Sequence, residues 1–330
     1  MSRSQRALLA LVLGFVVPLL IAEVAIQVYV DHIAQRTRIF THDTTLGWRV
    51  LPDLDVVRRN ADGEPWRIVT DEDGFRGPSN WDPDAERRLL ILGDSFAFGE
   101  GVDIEERFDS ILTKGLPQLS IVNLGVMGYG TDQEVIAARP WMRDLGQGDV
   151  LLLLTFGNDF YDIARRKHAS RSKPWFWLDE DGAIDERLPQ IGLAEILRDR
   201  FYTTGLLVQH LGPGTPMPSR PQVRRARELY TAIVATELYP LADRGIEVWI
   251  AHHGARAARL PFPTEPVFER IETQGVRILP LDPVIREGDP AAAYLADGHW
   301  TAEGHRRVGA YLGGLLAPTT APTTADAEAF

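Results

Sequence analysis

Ser95 is the side chain in this sequence best placed to attack an electrophilic carbon. It stands in LLILGDSFAFGEGV, where Leu89, Leu90, Ile91 and Leu92 have the length and flanks of a buried strand, and Gly93 and Gly99 bound the turn that follows. A hydroxyl delivered at a strand's carboxyl end is a candidate nucleophile. It needs a base for its proton, a group that orients that base, and donors aimed at the developing oxyanion. His299 is the candidate base, and Asp297, just before it in DGHW, can accept the N–H of the distal ring nitrogen and fix the tautomer. The candidate oxyanion donors are the backbone N–H of Ser95, a backbone N–H at Gly128 and the side-chain amide of Asn158 in FGND. Each residue alone has a plainer reading: a helix-capping serine, a helix-entry loop, a tight glycine turn. A serine, a glycine, an asparagine and an Asp–His pair in one chain point to acyl transfer.

Other chemistries fit less well. An α/β-hydrolase elbow would read G-x-S-x-G, and position 97 is alanine; no G-x-x-x-x-G-K-[ST] phosphate loop is present. The net charge of -11, with no basic block, argues against a nucleic-acid partner. Zero cysteines exclude disulfides, thiolate metal sites and a cysteine nucleophile. His252 and His253 are adjacent on a strand pattern, so they face opposite ways and cannot easily share an ion. One of them should line the pocket while the other packs; His252, together with Trp300, is read as substrate-binding. Neither a metal nor a cofactor is required. The run Trp175–Trp177 is read as a hairpin's buried face rather than a ligand platform, and His305 as structural.

The elements that must position these groups follow an alternating pattern. Apolar, β-branched runs occur at Leu89–Leu92, Ile121–Leu124, Val150–Thr155, Ile246–Ile250 and Val276–Leu281, with helical periodicity between several of them, as in Asp132–Leu145 and Pro221–Arg244. Such alternation predicts a mainly parallel sheet covered on both faces, a three-layer α/β/α domain whose functional groups gather beyond the strands' carboxyl ends. Ser95, Gly125–Gly130, Asn158 and His252 each follow a run at that edge.

At the N-terminus, Arg3 and Arg6 precede Ala7–Val30, an apolar stretch long enough to cross a bilayer and interrupted only by Glu23. It is read as an uncleaved anchor with the following chain outside the cytoplasmic membrane, and Glu23 as sitting near the outer interface or facing a partner helix. The expected organisation is a cytoplasmic end at residues 1–6, the anchor at 7–30, a β-rich lead at 31–87, the main domain at 88–316 with a cap at about 160–220, and a low-complexity tail at 317–330.

The chain resembles the SGNH, or GDSL-type, hydrolase family. GDSFAFGEG matches the family's first block and gives Ser95; VNLGVMGYG matches the second and gives Gly128; GND gives Asn158; DGHW gives Asp297 and His299. The strings HDTTLGWRVLPDL, DEDGFRG and YGTDQE are similar to a bacterial membrane-anchored branch. The match runs from Leu89 to about Leu316. Most of the family places Asp and His three apart before a proline, whereas here they are two apart before Trp300, as in the branch that O-acetylates envelope polysaccharides. The resemblance implies a flavodoxin-like fold and a serine esterase on acyl esters of glycans or lipids. Its alternatives are an O-acyltransferase of envelope polysaccharide and a non-catalytic carbohydrate-binding protein.

Overall fold

Five strands form one sheet in the order β13-β12-β7-β5-β6 in the computed structural model, all parallel: β5 (Arg87–Leu92), β6 (Leu119–Asn123), β7 (Val150–Phe156), β12 (Glu247–His253) and β13 (Arg277–Pro280). The structure describes residues 1–33, 37–77, 81–211, 216–254 and 260–317; the greater part of the tail read as low-complexity, 318–330, lies outside them. Each of the five apolar runs is a strand; β5, β6, β7 and β12 are largely buried on both faces, which leaves no solvent side for polar residues, whereas the edge strand β13 exposes Arg277 and Pro280. Alternation then sorts the side chains: Leu90, Leu92, Val122, Leu151, Leu153, Val248 and Ile250 face one layer, while Leu89, Ile91, Ile121, Leu152, Leu154, Trp249 and Ala251 face the other.

Helices cover both faces. The short α2 (Ser95–Phe98) follows β5, and α3 (Phe108–Gly115) lies with the C-terminal α10 (Ala302–Leu316) against the Leu89 face, through Phe108, Leu112, Val308 and Leu312. On the Leu90 face lie α4 (Thr131–Asp144), α8 (Arg220–Glu237) and α9 (Glu265–Glu272), contributing Val135, Tyr230, Ile233 and Phe268. α8 opens on a Ser219–Gln222 capping box and buries Val223, Ala226, Tyr230, Ile233 and Val234 at helical spacing. Truncating the fully buried Ile233 to alanine costs on the order of 2–5 kcal/mol.

The chain passes from β5 outward to β6 and then crosses to β7 on β5's other side. This reversal opens a crevice beyond the carboxyl ends of β5 and β7, the position where open α/β sheets hold ligands. Among the described residues there are also four small hairpins. β1 (Phe40–Asp43) pairs β2 (Gly47–Val50), and β3 (Asp55–Arg59) pairs β4 (Pro65–Val69). β8 (Lys167–His168) pairs β9 (Arg171–Ser172), and β10 (Trp175–Leu178) pairs β11 (Ile184–Arg187). The first two bury Trp48, Val50, Trp66 and Ile68 against Phe98, Val126 and Tyr129, the residues that flank the crevice. Buried Arg76 adds donors to the carbonyls of Phe98 (2.9 Å) and Gly99 (2.6 Å), tying the lead segment to the turn that carries Ser95.

Of the run Trp175–Trp177, strand alternation sends only Phe176 inward; Trp175 is half-buried and Trp177 exposed. The N-terminal residues form one helix, α1 (Arg3–Ile33), long and apolar enough to cross a membrane. After the β10–β11 hairpin come α6 (Leu193–Arg200) and α7 (Tyr202–Leu211).

Candidate active site

The turn after β5 is built to present Ser95. Gly93 adopts φ +158°, and a Cβ there would lie 2.8 Å from Ala97 Cβ, so glycine lets the strand fold directly into α2. Asp94 caps α2, its carboxylate accepting the Phe96 N–H at 3.0 Å. Ser95 is thus the first helical residue and largely buried.

From the far end of the sequence, the loop before α10 brings His299 to it. A Leu295 N–H to His299 O bond of 2.8 Å and the Tyr294–Trp300 bridge close this loop. Ser95 Oγ and His299 Nε2 lie 2.8 Å apart across 204 residues of sequence. Asp297 Oδ2 is 3.0 Å from His299 Nδ1 but off the N–H direction, and its Oδ1 accepts the backbone N–H of His299 at 3.1 Å. With the proton on Nδ1, Nε2 presents its lone pair to the serine, the state a general base needs.

Gly128 has φ +80°, a left-handed conformation that L side chains rarely adopt, and a Cβ there would sit 3.0 Å from His168 Nε2. Asn158, between β7 and the short α5 (Asp159–Asp162), donates its amide to Asp94 Oδ2 at 2.7 Å and to Asp162 Oδ2 at 3.2 Å. Its carbonyl oxygen is buried without a partner among the described residues. A cavity of about 280 Å³ joins Ser95, Gly128, Asn158 and His299, with Phe40, Trp48, Met127, Glu100, His168 and Arg171 among the residues around them.

Two residues read as substrate-binding are not in that lining. His252 falls on the Leu90 face of β12 by parity and stacks on Phe268 with 4.2 Å between ring centroids. Trp300 is fully buried, packed edge-on against Phe96 and Phe156, so its indole supports the Ser95 turn from below. His253 takes the other face of β12, bonds Tyr294 Oη at 2.7 Å, and burial pushes its pKa down to about 4.

Other side chains enter unannounced. Glu100 Oε2 comes within 3.4 Å of His299 Nε2; burial raises the Glu100 pKa, opposed by His299 and Arg58. Its backbone N–H donates to Ser95 O at 2.9 Å, because α2 is one turn long and returns the chain to its start, a consequence readable from the Gly93-to-Gly99 spacing. His168, on the β8–β9 hairpin, places Nδ1 3.1 Å from Asp162 Oδ1 and tilts over Trp48. That hairpin turns through Ala169 (φ +46°) and Ser170 (φ +64°), left-handed conformations that cost roughly 1–2 kcal/mol each without glycine. No local pattern in the sequence announces such a hairpin. Beneath Asn158, burial and repulsion from neighbouring carboxylates hold Glu134 and Asp159 well above the ordinary range, and burial raises Asp94 as well.

Among the described residues, no group of three His, Asp or Glu side chains is arranged to hold a metal ion. The larger cavity, about 880 Å³, lies between β10 and α8 and contains neither a serine nor a histidine. The Ser95–His299 pair lies in the smaller one.

A parallel α/β/α sheet carries a serine after an interior strand, with a glycine, an asparagine and a C-terminal histidine gathered beside it. The chain is similar to several solved structures. A lipolytic protein of the G-D-S-L family from Veillonella parvula is 12% identical with a TM-score of 0.41, over 71% of this chain and 100% of its own. TesA is 13% identical with a TM-score of 0.38, over 70% and 98% respectively. An extracellular lipase from Streptomyces rimosus is 10% identical with a TM-score of 0.32, over 69% and 98%. No protein-family model and no curated protein matches the sequence.

Proposed function

We propose that this protein is a serine esterase acting outside the cytoplasmic membrane on acyl or acetyl esters of glycans or lipids, through an acyl-Ser95 intermediate. The observation that carries the reading is the 2.8 Å contact between Ser95 Oγ and His299 Nε2. As Oγ attacks the ester carbonyl, its proton passes to Nε2 and the carbonyl electron pair moves onto oxygen. The N–H groups of Ser95 and Gly128 receive that oxyanion, and Asn158 joins them by giving up its longer contact, to Asp162 at 3.2 Å, while the 2.7 Å bond to Asp94 holds its amide in place. The imidazolium, steadied by Asp297, protonates the departing alkoxide, and water then cleaves the acyl-serine by the same steps. The site needs neither metal nor cofactor.

The anchor reading supports the location: no residue of α1's apolar span is fully buried within the protein, and Arg3 and Arg6 lie on its N-terminal side. Hydrolysis of p-nitrophenyl acetate and butyrate by the full chain in detergent micelles, beside Ser95→Ala, tests the proposal. Turnover lost in the variant is expected; equal turnover overturns the Ser95 role. An acylated product in the presence of a polysaccharide acceptor would redirect the reading to transfer.

A further inference from the structure

Glu23 is the one ionisable residue in the Ala7–Val30 run, and a lone carboxylate among lipid chains is costly unless it finds a partner. It finds one in the cap. Its oxygens accept the backbone N–H of Tyr202, the backbone N–H of Thr203 (2.9 Å) and Thr203 Oγ1 (2.7 Å), the first donors of α7. Those N–H groups have no partner inside their own helix, and the helix dipole favours an anion there. Glu23 therefore caps α7 from a helix 179 residues away in sequence, and α7 packs along α1.

Helical rise places the start of α7 below the water boundary. With a hydrocarbon slab of about 30 Å centred on Ala7–Val30, Glu23 lies roughly 8 Å inside its edge. The composition of α7 suits that depth: YTTGLLVQHL contains no Asp, Glu, Lys or Arg. Leu206 and Leu207 are 37% and 56% exposed, and Phe201 just ahead of α7 is 43% exposed. Charge returns where headgroups would lie. Arg198, Asp199 and Arg200 close α6, Tyr202 Oη bonds Asp31 at 2.6 Å, and the Arg38 guanidinium sits 4.0 Å over the Tyr202 ring.

We propose that α7, with Phe201, is seated in the bilayer leaflet beside α1, so that a lipid surface covers Leu206 and Leu207 and the domain is held flat against the membrane. This rests on the reading of α1 as a membrane span. It has a consequence for the site: Asp199 pairs with Arg171 at 2.8 Å, and Arg171 lines the Ser95 cavity from the hairpin that carries His168. The cavity rim is thereby braced on the membrane-seated arm, which suits an ester substrate carried by the membrane.

The absence of cysteine allows a background-free test with the full chain in nanodiscs of phosphatidylethanolamine and phosphatidylglycerol. Single variants Leu207→Cys, Phe15→Cys in the span and Trp177→Cys on the exposed hairpin are labelled with a water-soluble maleimide. In parallel, a bimane at each position is challenged with nitroxide-bearing lipids. Leu207→Cys is expected to label at least tenfold more slowly than Trp177→Cys and to be quenched by the lipids as Phe15→Cys is. Adding Glu23→Leu is expected to speed Leu207→Cys labelling at least threefold while Phe15→Cys stays shielded. Labelling of Leu207→Cys as fast as Trp177→Cys, with Phe15→Cys shielded, overturns the proposal and leaves the span intact. Free labelling of Phe15→Cys overturns the span and the proposal with it. A shielded Leu207→Cys that is unquenched by lipid and crosslinks to a second copy assigns the face to a protein contact instead, which also overturns it.

Discussion

Asn158 donates its side-chain amide to Asp94, the residue immediately before Ser95, at 2.7 Å. Two candidate contributors to the oxyanion pocket, one after β5 and one after β7, are thereby fixed relative to each other by a single buried bond. Its geometry decides which variants should matter. Asn158→Ala removes a donor and should lower kcat by roughly 10²–10³ with little change in KM. Asp94→Ala leaves the amide in place but held only by its longer bond to Asp162, and should lower kcat less. It also strips the α2 cap, costing on the order of 1 kcal/mol of stability. Steady-state kinetics beside chemical denaturation separates the two; an Asp94→Ala variant with unchanged kcat would remove Asp94 from the positioning role.

His168 should govern what fits beside the serine. Its ring shares Asp162 with Asn158 and closes on Gly128 from the opposite side of the cavity. Loss of one such polar wall contact is worth about 1 kcal/mol, or roughly fivefold, in uniform binding. His168→Ala is expected to raise KM several-fold for a bulky ester while leaving kcat on p-nitrophenyl acetate nearly unchanged. A large fall in kcat on acetate would instead place His168 in proton transfer.

The sheet and the serine–histidine pair were legible because their signals are local. A buried strand such as Leu89–Leu92 is apolar throughout, and a glycine pair around Ser95 marks a turn whatever packs on it. The pocket's identity was less so. His252 and His253 could be assigned opposite faces of β12, but which face meets His299 depends on the parity of Leu89 against Trp249 across two intervening pairings, information that no single segment carries. Trp300 adjoins His299 yet points into the core, since alternate residues of the short Tyr294–Trp300 bridge diverge. Glu23 was read as sitting near the outer interface or facing a partner helix; that it meets the start of α7 depends on tertiary contact alone.

Asp297 should matter less than its counterpart in a fully aligned triad. Its side chain is 41% exposed, and its Oδ2 lies close to His299 Nδ1 but off the N–H direction. Solvent then supplies part of the orientation and charge support that a buried carboxylate would provide. Asp297→Asn is expected to lower kcat/KM by roughly 10–100-fold, against roughly 10³–10⁴ for His299→Ala. Equal losses in the two variants would mean that the carboxylate is the dominant orienter despite its exposure.

Stability below neutral pH offers a test of the core beneath the site. His305 is buried between Phe108 and Trp300, and burial, with repulsion from Arg107 and Arg76, pushes its pKa down to about 3. The unfolded chain binds the proton near pH 6.5, while the folded state does not until about pH 3. The stability associated with a neutral His305 is therefore complete above pH 6.5 and is lost progressively as the pH falls towards 3. Between pH 7 and 5 the loss amounts to roughly 2 kcal/mol. His253, lowered to about 4, acts in the same direction, whereas the raised Glu134 and Asp159 act in the opposite one, so the informative quantity is a difference between variants. His305→Phe keeps an aromatic ring stacked on Phe108 and removes the titration. Denaturation of both proteins at pH 7 and pH 5 should show the variant gaining about 2 kcal/mol relative to the parent on acidification. A difference independent of pH would mean that His305 takes up its proton in the folded state near its ordinary pKa.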